Sequence, residues 1–294
     1  MSDFPDFVIV GAPKCGTTSL AHYLGDHEMV FIPAEEEPHF YSYMGESAPH
    51  WGCGDVDEYL KLFKEATREQ LVGERSTWYL YSDTAAQQIQ RYAPDTKCIA
   101  LLRHPVDRAY SHWSFRTQNG WETLSFVDAI AEEEKRIAND AIWDVHYLRV
   151  GRYYEQLLRF HRQLGPDQVQ VLWFKELMRD SDAVVQKALS FLGLDPEASI
   201  DTDTVHNETR LPRSSWVNWL VRSSFVRRST RSFIPASVRS FLHDAHQRLN
   251  RKERPSLDPD YRARLISKVR PDIERLQRLL NVDLSHWMER RSTD

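Results

Sequence analysis

Residues 11–19, Gly11-Ala12-Pro13-Lys14-Cys15-Gly16-Thr17-Thr18-Ser19, bring two glycines, a lysine and three hydroxyls into nine positions. Glycines let a backbone curl around an anion, and a helix that begins there adds unpaired N–H groups and a favourable dipole. The glycines have the spacing of a Walker phosphate loop, but Thr17 stands where that loop carries its lysine. Lys14, two residues before Gly16, enters from the loop's outer side instead. A second basic position follows the apolar run Cys98-Ile99-Ala100-Leu101-Leu102, which ends in Arg103. Nucleotide triphosphatases commonly end such a strand with a magnesium-binding carboxylate. A guanidinium cannot hold a cation, but it grips a phosphate through two parallel hydrogen bonds. Ser111 offers a hydroxyl to the same anion. The plainer alternatives are a Gly- and Thr-rich turn and an arginine that merely caps the sheet.

Both loops need strands before them and helices after them. The β-branched run 7–10 ends at Gly11 and reads as a buried parallel strand, with further strands predicted at 29–32, 71–74, 97–102 and 168–173. Helical patterns fall at 56–63, 84–92, 106–116, 125–137, 153–163 and 183–192, and Thr17 or Thr18 is the expected cap of a first helix ending near Gly25. This alternation predicts an α/β fold, a three-layer parallel sheet with helices on both faces and its binding site at the carboxyl ends of the strands. Residues 1–194 form the expected core of a single domain spanning 1–294. Residues 195–257 are a basic loop or helical cover, and 258–294 contain an amphipathic helix packed on the core.

The 294 residues are 41% hydrophobic and 28% charged, so a sizeable core forms. A net charge of −5 argues against a general nucleic-acid binder. The charge is uneven: from 210 to 254, ten Arg and one Lys face Asp244 and Glu253, a net +9 that leaves −14 for the remainder. Cys15, Cys53 and Cys98 have neither disulfide-scaffold nor metal-ligand spacing. No apolar run approaches a membrane span, and a strand beginning at Phe7 leaves no room for a secretory leader. A cytoplasmic, reducing location is the expectation.

The run Pro13-Lys14-Cys15-Gly16-Thr17-Thr18-Ser19-Leu20 and the run Leu102-Arg103-His104-Pro105-Val106-Asp107-Arg108-Ala109-Tyr110-Ser111 resemble the two defining segments of sulfotransferases. These enzymes use 3′-phosphoadenosine 5′-phosphosulfate (PAPS) and release PAP. The resemblance is closest to the bacterial and heparan-sulfate-type branch, and includes Gly151-Arg152-Tyr153 and Leu284-Ser285-His286-Trp287. It implies a P-loop-like fold without a required metal. Lys14, Cys15, Gly16, Thr17, Thr18 and Ser19 would then hold the 5′-phosphosulfate, with Lys14 stabilising the leaving phosphate, and Arg103 and Ser111 would hold the 3′-phosphate.

The same resemblance assigns a base. In Glu35-Glu36-Glu37-Pro38-His39-Phe40-Tyr41, Glu37 matches the branch's Glu, and His39 is the alternative. Glu36 stands where relatives often carry Lys, and three crowded carboxylates are expected to raise the pKa of Glu37. Arg75, in Gly73-Glu74-Arg75-Ser76-Thr77, replaces a family lysine; it would neutralise the transferring group, pair with Glu37, or form a surface ion pair. Tyr153 would touch the adenosine or lie in the core, and Arg210 would close over the nucleotide.

The acceptor is a small molecule, glycan or lipid bearing a hydroxyl or amine, with Phe40, Tyr41, Tyr43 and Trp51 as candidate lining. Residues 214–241 interleave aromatics with arginines, which suits peripheral membrane contact, an anionic acceptor groove or packed helices with solvated arginines. Oligomeric state is not legible. The rival functions are a non-catalytic anion or membrane-surface binder on the same fold, and a P-loop nucleotide kinase.

Overall fold

The computed structural model describes residues 4–33, 37–43, 53–139, 142–198, 200, 202, 211–212, 251–252 and 257–289. In chain order the elements are β1 (Phe7–Gly11), α1 (Thr17–Gly25), β2 (Val30–Phe31), α2 (Phe40–Tyr43), α3 (Val56–Lys61), β3 (Leu71–Arg75), α4 (Ala85–Tyr92), β4 (Lys97–Leu102) and α5 (Pro105–Gln118). They continue with α6 (Phe126–Ala131), α7 (Glu133–Ala138), α8 (Tyr153–Leu164), β5 (Val169–Trp173), α9 (Phe174–Arg179), α10 (Ser181–Leu192) and α11 (Pro259–Leu280).

Five strands form one parallel sheet in the order β2-β3-β1-β4-β5. Phe7, Val8, Ile9 and Val10 are all fully buried, which requires cover on both faces of the central strand. Helix α1 packs against α10 and β3, while α8 packs against α4 and α11. From β1 the chain first builds towards β2 and β3, then crosses β1 to lay down β4 and β5. The winding therefore reverses between β1 and β4, and the crevice beyond the carboxyl ends of those strands is the place such sheets bind ligands. The amide of Ala12 donates to the carbonyl of Leu101 at 2.9 Å, so the loops that follow β1 and β4 start side by side.

Three sequence expectations change in detail. Gly16, rather than Thr17 or Thr18, is the N-cap of α1, because it adopts the left-handed conformation (φ 85°) that ends the loop. The predicted helix 125–137 breaks at Glu132 into α6 and α7, and Glu133 is buried with its carboxylate accepting from the amide of Arg149 at 3.1 Å. The second strand contracts to Val30–Phe31 at the sheet's edge. No helix among the described residues is long and apolar enough to cross a membrane.

Candidate active site

The first loop is held in place from three sides. At Gly11 a Cβ would stand 2.5 Å from the carbonyl oxygen of Thr77, so only glycine lets the loop after β3 pack this closely against the end of β1. At the far end, Gly16 opens α1 without a side-chain cap and without an acidic residue in the first turn. A helix start with neither a capping side chain nor a first-turn carboxylate suits an anion. Beneath the loop, fully buried Arg108 donates to the carbonyls of Pro13, at 3.4 Å, and of Tyr147.

Lys14 lies with its ammonium 4.0 Å from the centroid of Phe115, a favourable face-on cation–aromatic contact. Thr17 and Ser19 are buried and Thr18 is half-buried. Through its thiol, Cys15 donates to the carbonyl of Pro13 within the loop at 3.8 Å. It is fully buried, its Sγ lies 3.8 Å from the hydroxyl of Tyr153, and burial pushes its thiol pKa up. Cys15 can therefore serve the loop through its backbone and not as a charged thiolate.

At the end of β4, Arg103 lies 4.4 Å from the ring centroid of Phe174. Its Nε is buried and has no hydrogen-bond partner among the described residues. A buried guanidinium N–H without an acceptor is costly, and an incoming anion would supply one. Ser111 is buried on α5. Tyr153 is fully buried, so it belongs to the core rather than to an adenosine-facing surface, and its hydroxyl donates to the carbonyl of Arg103 at 2.9 Å. The tyrosine thus supports the arginine from behind.

The third group gathers where β3 ends. Glu37 Oε1 accepts from Arg75 Nη1 at 2.5 Å, and Oε2 accepts from the Thr77 amide at 3.0 Å and the Thr77 hydroxyl at 2.6 Å. His39 Nε2 lies 3.2 Å from the same Oε2. Burial by itself would raise the pKa of Glu37, but the hydrogen bond from His39, the charges of Arg75 and His39 and the Thr77 hydroxyl outweigh it and hold the carboxyl at about 2. The expectation of a raised Glu37 pKa is therefore reversed: among the described residues its carboxylate is surrounded by the donors of Arg75, His39 and Thr77. Of the three roles weighed for Arg75, the structure shows pairing with Glu37, and its 16% side-chain exposure excludes a plain surface ion pair.

Behind this pair, Glu74 is fully buried and accepts from the hydroxyls of Tyr59 at 3.0 Å and Ser76 at 2.8 Å. Ser76 in turn accepts from the amide of His39 at 3.0 Å. Burial pushes the Glu74 pKa up, against those hydrogen bonds. Phe40 and Tyr41 are fully buried beside Tyr59, with Phe40 stacked on it at 4.2 Å, so they are core and not acceptor lining. The side chain of Tyr43, the residue Trp51, the acidic residues Glu35 and Glu36, Arg210 and the segment 214–241 lie outside what the structure describes.

Several residues of the site were not singled out by sequence. Thr77 pins Glu37, Arg108 clamps the first loop, and the buried His112 packs edge-on against Tyr147 at 5.2 Å. Burial, together with the charges of Arg108 and Lys14, keeps the His112 imidazole well below its ordinary pKa. Trp78 packs 5.7 Å from His112 and 6.2 Å from Trp143, which places aromatic surface next to Thr77. Arg108 sits inside the second motif segment and Thr77 ends the run Gly73-Glu74-Arg75-Ser76-Thr77, so proximity to a motif is the available clue.

Comparison with known proteins identifies the family. The family described as Sulfotransferase domain matches residues 4–239. Human heparan sulfate glucosamine 3-O-sulfotransferase 6 is 28% identical over 191 residues, covering 65% of this chain and 53% of the relative. Mouse carbohydrate sulfotransferase 15 is 25% identical, covering 76% of this chain and 51% of the relative. The chain thus spans about half the length of the curated relatives it matches. A crystal structure of a sulfotransferase from Alicyclobacillus acidocaldarius superposes with a TM-score of 0.76 at 30% identity, covering 97% of this chain and 99% of that one. With its two strand-end loops and with the family match extending over most of its length, the chain belongs to the sulfotransferase family.

Proposed function

We propose that this chain transfers the sulfuryl group of PAPS to a hydroxyl or amine of an acceptor and releases PAP. The observation that supports the reading most strongly is the pairing of two basic strand ends around one crevice, Lys14 beside the start of α1 and Arg103, whose buried Nε has no partner among the described residues. PAPS, when bound, supplies an activated sulfuryl group between two anionic ends, and the cradles match those ends in charge and number. The first-turn amides of α1 and the hydroxyls of Thr17, Thr18 and Ser19 hold the 5′ side. Arg103 and Ser111 hold the 3′-phosphate through charge-assisted bonds worth about 1.5–3 kcal/mol each. Lys14 stabilises the negative charge that grows on the leaving phosphate oxygen.

Glu37 accepts the acceptor's proton. With its carboxyl at about 2, it is fully ionised at neutral pH and weakly basic. It therefore takes the proton late, when the acceptor's O–H or N–H has become acidic through bonding to sulfur. Oε2 already has Thr77 and His39 as donors, whereas Oε1 has Arg75 alone among the described residues, which makes Oε1 the proton-accepting atom. Arg75 and His39 orient this carboxylate. Two relatives are named for glycan substrates, so saccharide acceptors come first for testing.

Incubation with ³⁵S-labelled PAPS in EDTA, with desulfated glycosaminoglycan, phenol and amine acceptors, tests the proposal. Label on one acceptor class, lost with Glu37→Gln, supports it. Absence of transfer to every class, with magnesium-dependent phosphoryl transfer from ATP instead, contradicts it.

A further inference from the structure

Only Arg103 and His104 separate β4 from α5, so the direction in which Arg103 projects depends on what fixes this two-residue turn. Much of that support comes from the far end of the chain. His104 is buried, its Nδ1 accepts from the amide of Val106 at 3.2 Å, and its Nε2 lies 2.8 Å from the carbonyl oxygen of Trp287. Because Nδ1 is an acceptor, the ring proton resides on Nε2 and is donated to Trp287. In the first turn of α5, Asp107 accepts from Nη1 and Nη2 of Arg262, a residue of α11 whose side chain is only 8% exposed. The Trp287 ring packs against His104 at 5.9 Å, Tyr153 at 6.3 Å and Trp173 at 5.6 Å. Tyr153 is the residue whose hydroxyl holds the Arg103 carbonyl.

The C-terminal segment therefore grips the Arg103 turn by a side chain, a helix start and a backbone carbonyl. Its anchor is strong, because Leu265, Val269, Ile273 and Leu276 of α11 are almost completely buried. This segment lies beyond the residues that the family match covers. We propose that Arg262 and Trp287 are positioning residues for donor recognition, which lock Asp107 and His104 so that Arg103 is held ready for the 3′-phosphate. The proposal rests on Arg103 being the 3′-phosphate ligand.

A ligand pair that differs in that phosphate separates positioning from general stability. PAP carries it and adenosine 5′-phosphosulfate lacks it. Arg262→Met keeps the aliphatic stem and removes the fork. It should weaken PAP about tenfold, a loss of about 1.4 kcal/mol, while adenosine 5′-phosphosulfate binds as in the parent protein. Arg262→Lys should recover part of the loss, because one hydrogen bond to Asp107 can re-form. Should Arg262→Met fail to fold, Asp107→Asn, which keeps the side-chain volume, reads the same contact. Equal losses for both ligands, or unchanged PAP affinity in a folded variant, would overturn the lock. Arg103→Ala is the control. If it spares PAP, the 3′-phosphate assignment fails and the lock with it; if it weakens PAP selectively and Arg262→Met does not, only the lock fails.

Discussion

Glu37 has four donors within reach, supplied by Arg75, His39 and Thr77, whereas Arg103, on the other side of β1, keeps a buried Nε with no partner among the described residues. The Gly16 end of α1 likewise has no side-chain cap. The carboxylate side is thus organised by the protein's own donors, and the phosphate side presents basic and backbone groups suited to an anion. The contrast follows from the chemistry each side has to do. A base must stay in one orientation while its proton affinity is set by neighbours. A phosphate site gains most of its affinity when its donors are left for the ligand.

The largest effect is expected where this contrast meets catalysis. Glu37→Gln removes the proton acceptor but keeps its shape, so kcat should fall about 10²–10⁴-fold with PAP affinity intact by calorimetry. Unchanged kinetics would move the base to His39 or to the acceptor itself. Lys14→Ala should lower kcat about 10²–10³-fold and weaken PAP much less, as measured by single-turnover transfer; a fully active variant would remove its role. Arg103→Ala should weaken PAP about 10–100-fold and adenosine 5′-phosphosulfate little. Equal losses for the two ligands would erase the distinction between the cradles.

The smallest effect is a shift in pH dependence. Glu37 must be ionised to accept a proton, so activity is lost as pH falls through its pKa. With that pKa at about 2, Glu37 places no acid limb in the working range. Arg75→Met removes one of the charges that depress it, and the limb should climb towards the ordinary glutamate value of about 4.3. The same carboxyl is depressed on folding, so its contribution to stability is present above its unfolded pKa and lost as pH falls towards 2. Acid titration of the pH–rate profile and of thermal stability checks both statements. An acid limb that does not move in Arg75→Met would show that His39 and Thr77 set the pKa without help.

The strand and helix alternation was legible because the buried strands are unbroken β-branched runs and the βα turns carry glycine. Lys14 and Arg103 stand out by residue type at strand ends and Ser111 by its place on the following helix, whereas Glu37 stands out through resemblance to a family segment. What sequence did not reveal depends on contacts between distant segments. Thr77 meets Glu37 across adjacent strand ends, because β2, which precedes Glu37, pairs in parallel with β3, which precedes Thr77. The Glu37 pKa shift runs opposite to what its sequence neighbours Glu35 and Glu36 suggest, because Arg75 and Thr77, remote in sequence, reach its carboxylate in space. Phe40, Tyr41 and Tyr153 show the same limit, since an aromatic residue suits a pocket or a core equally well and only the packing around Tyr59 and Trp287 decides.

The central claim is that the phosphate side awaits an adenosine nucleotide carrying both a 5′- and a 3′-phosphate. Calorimetric titration of the purified protein with PAP in EDTA, beside ATP with magnesium, tests it most directly. Tight, metal-free binding of PAP and weak or absent binding of ATP is the predicted result. Binding of ATP with magnesium, and none of PAP, would contradict it.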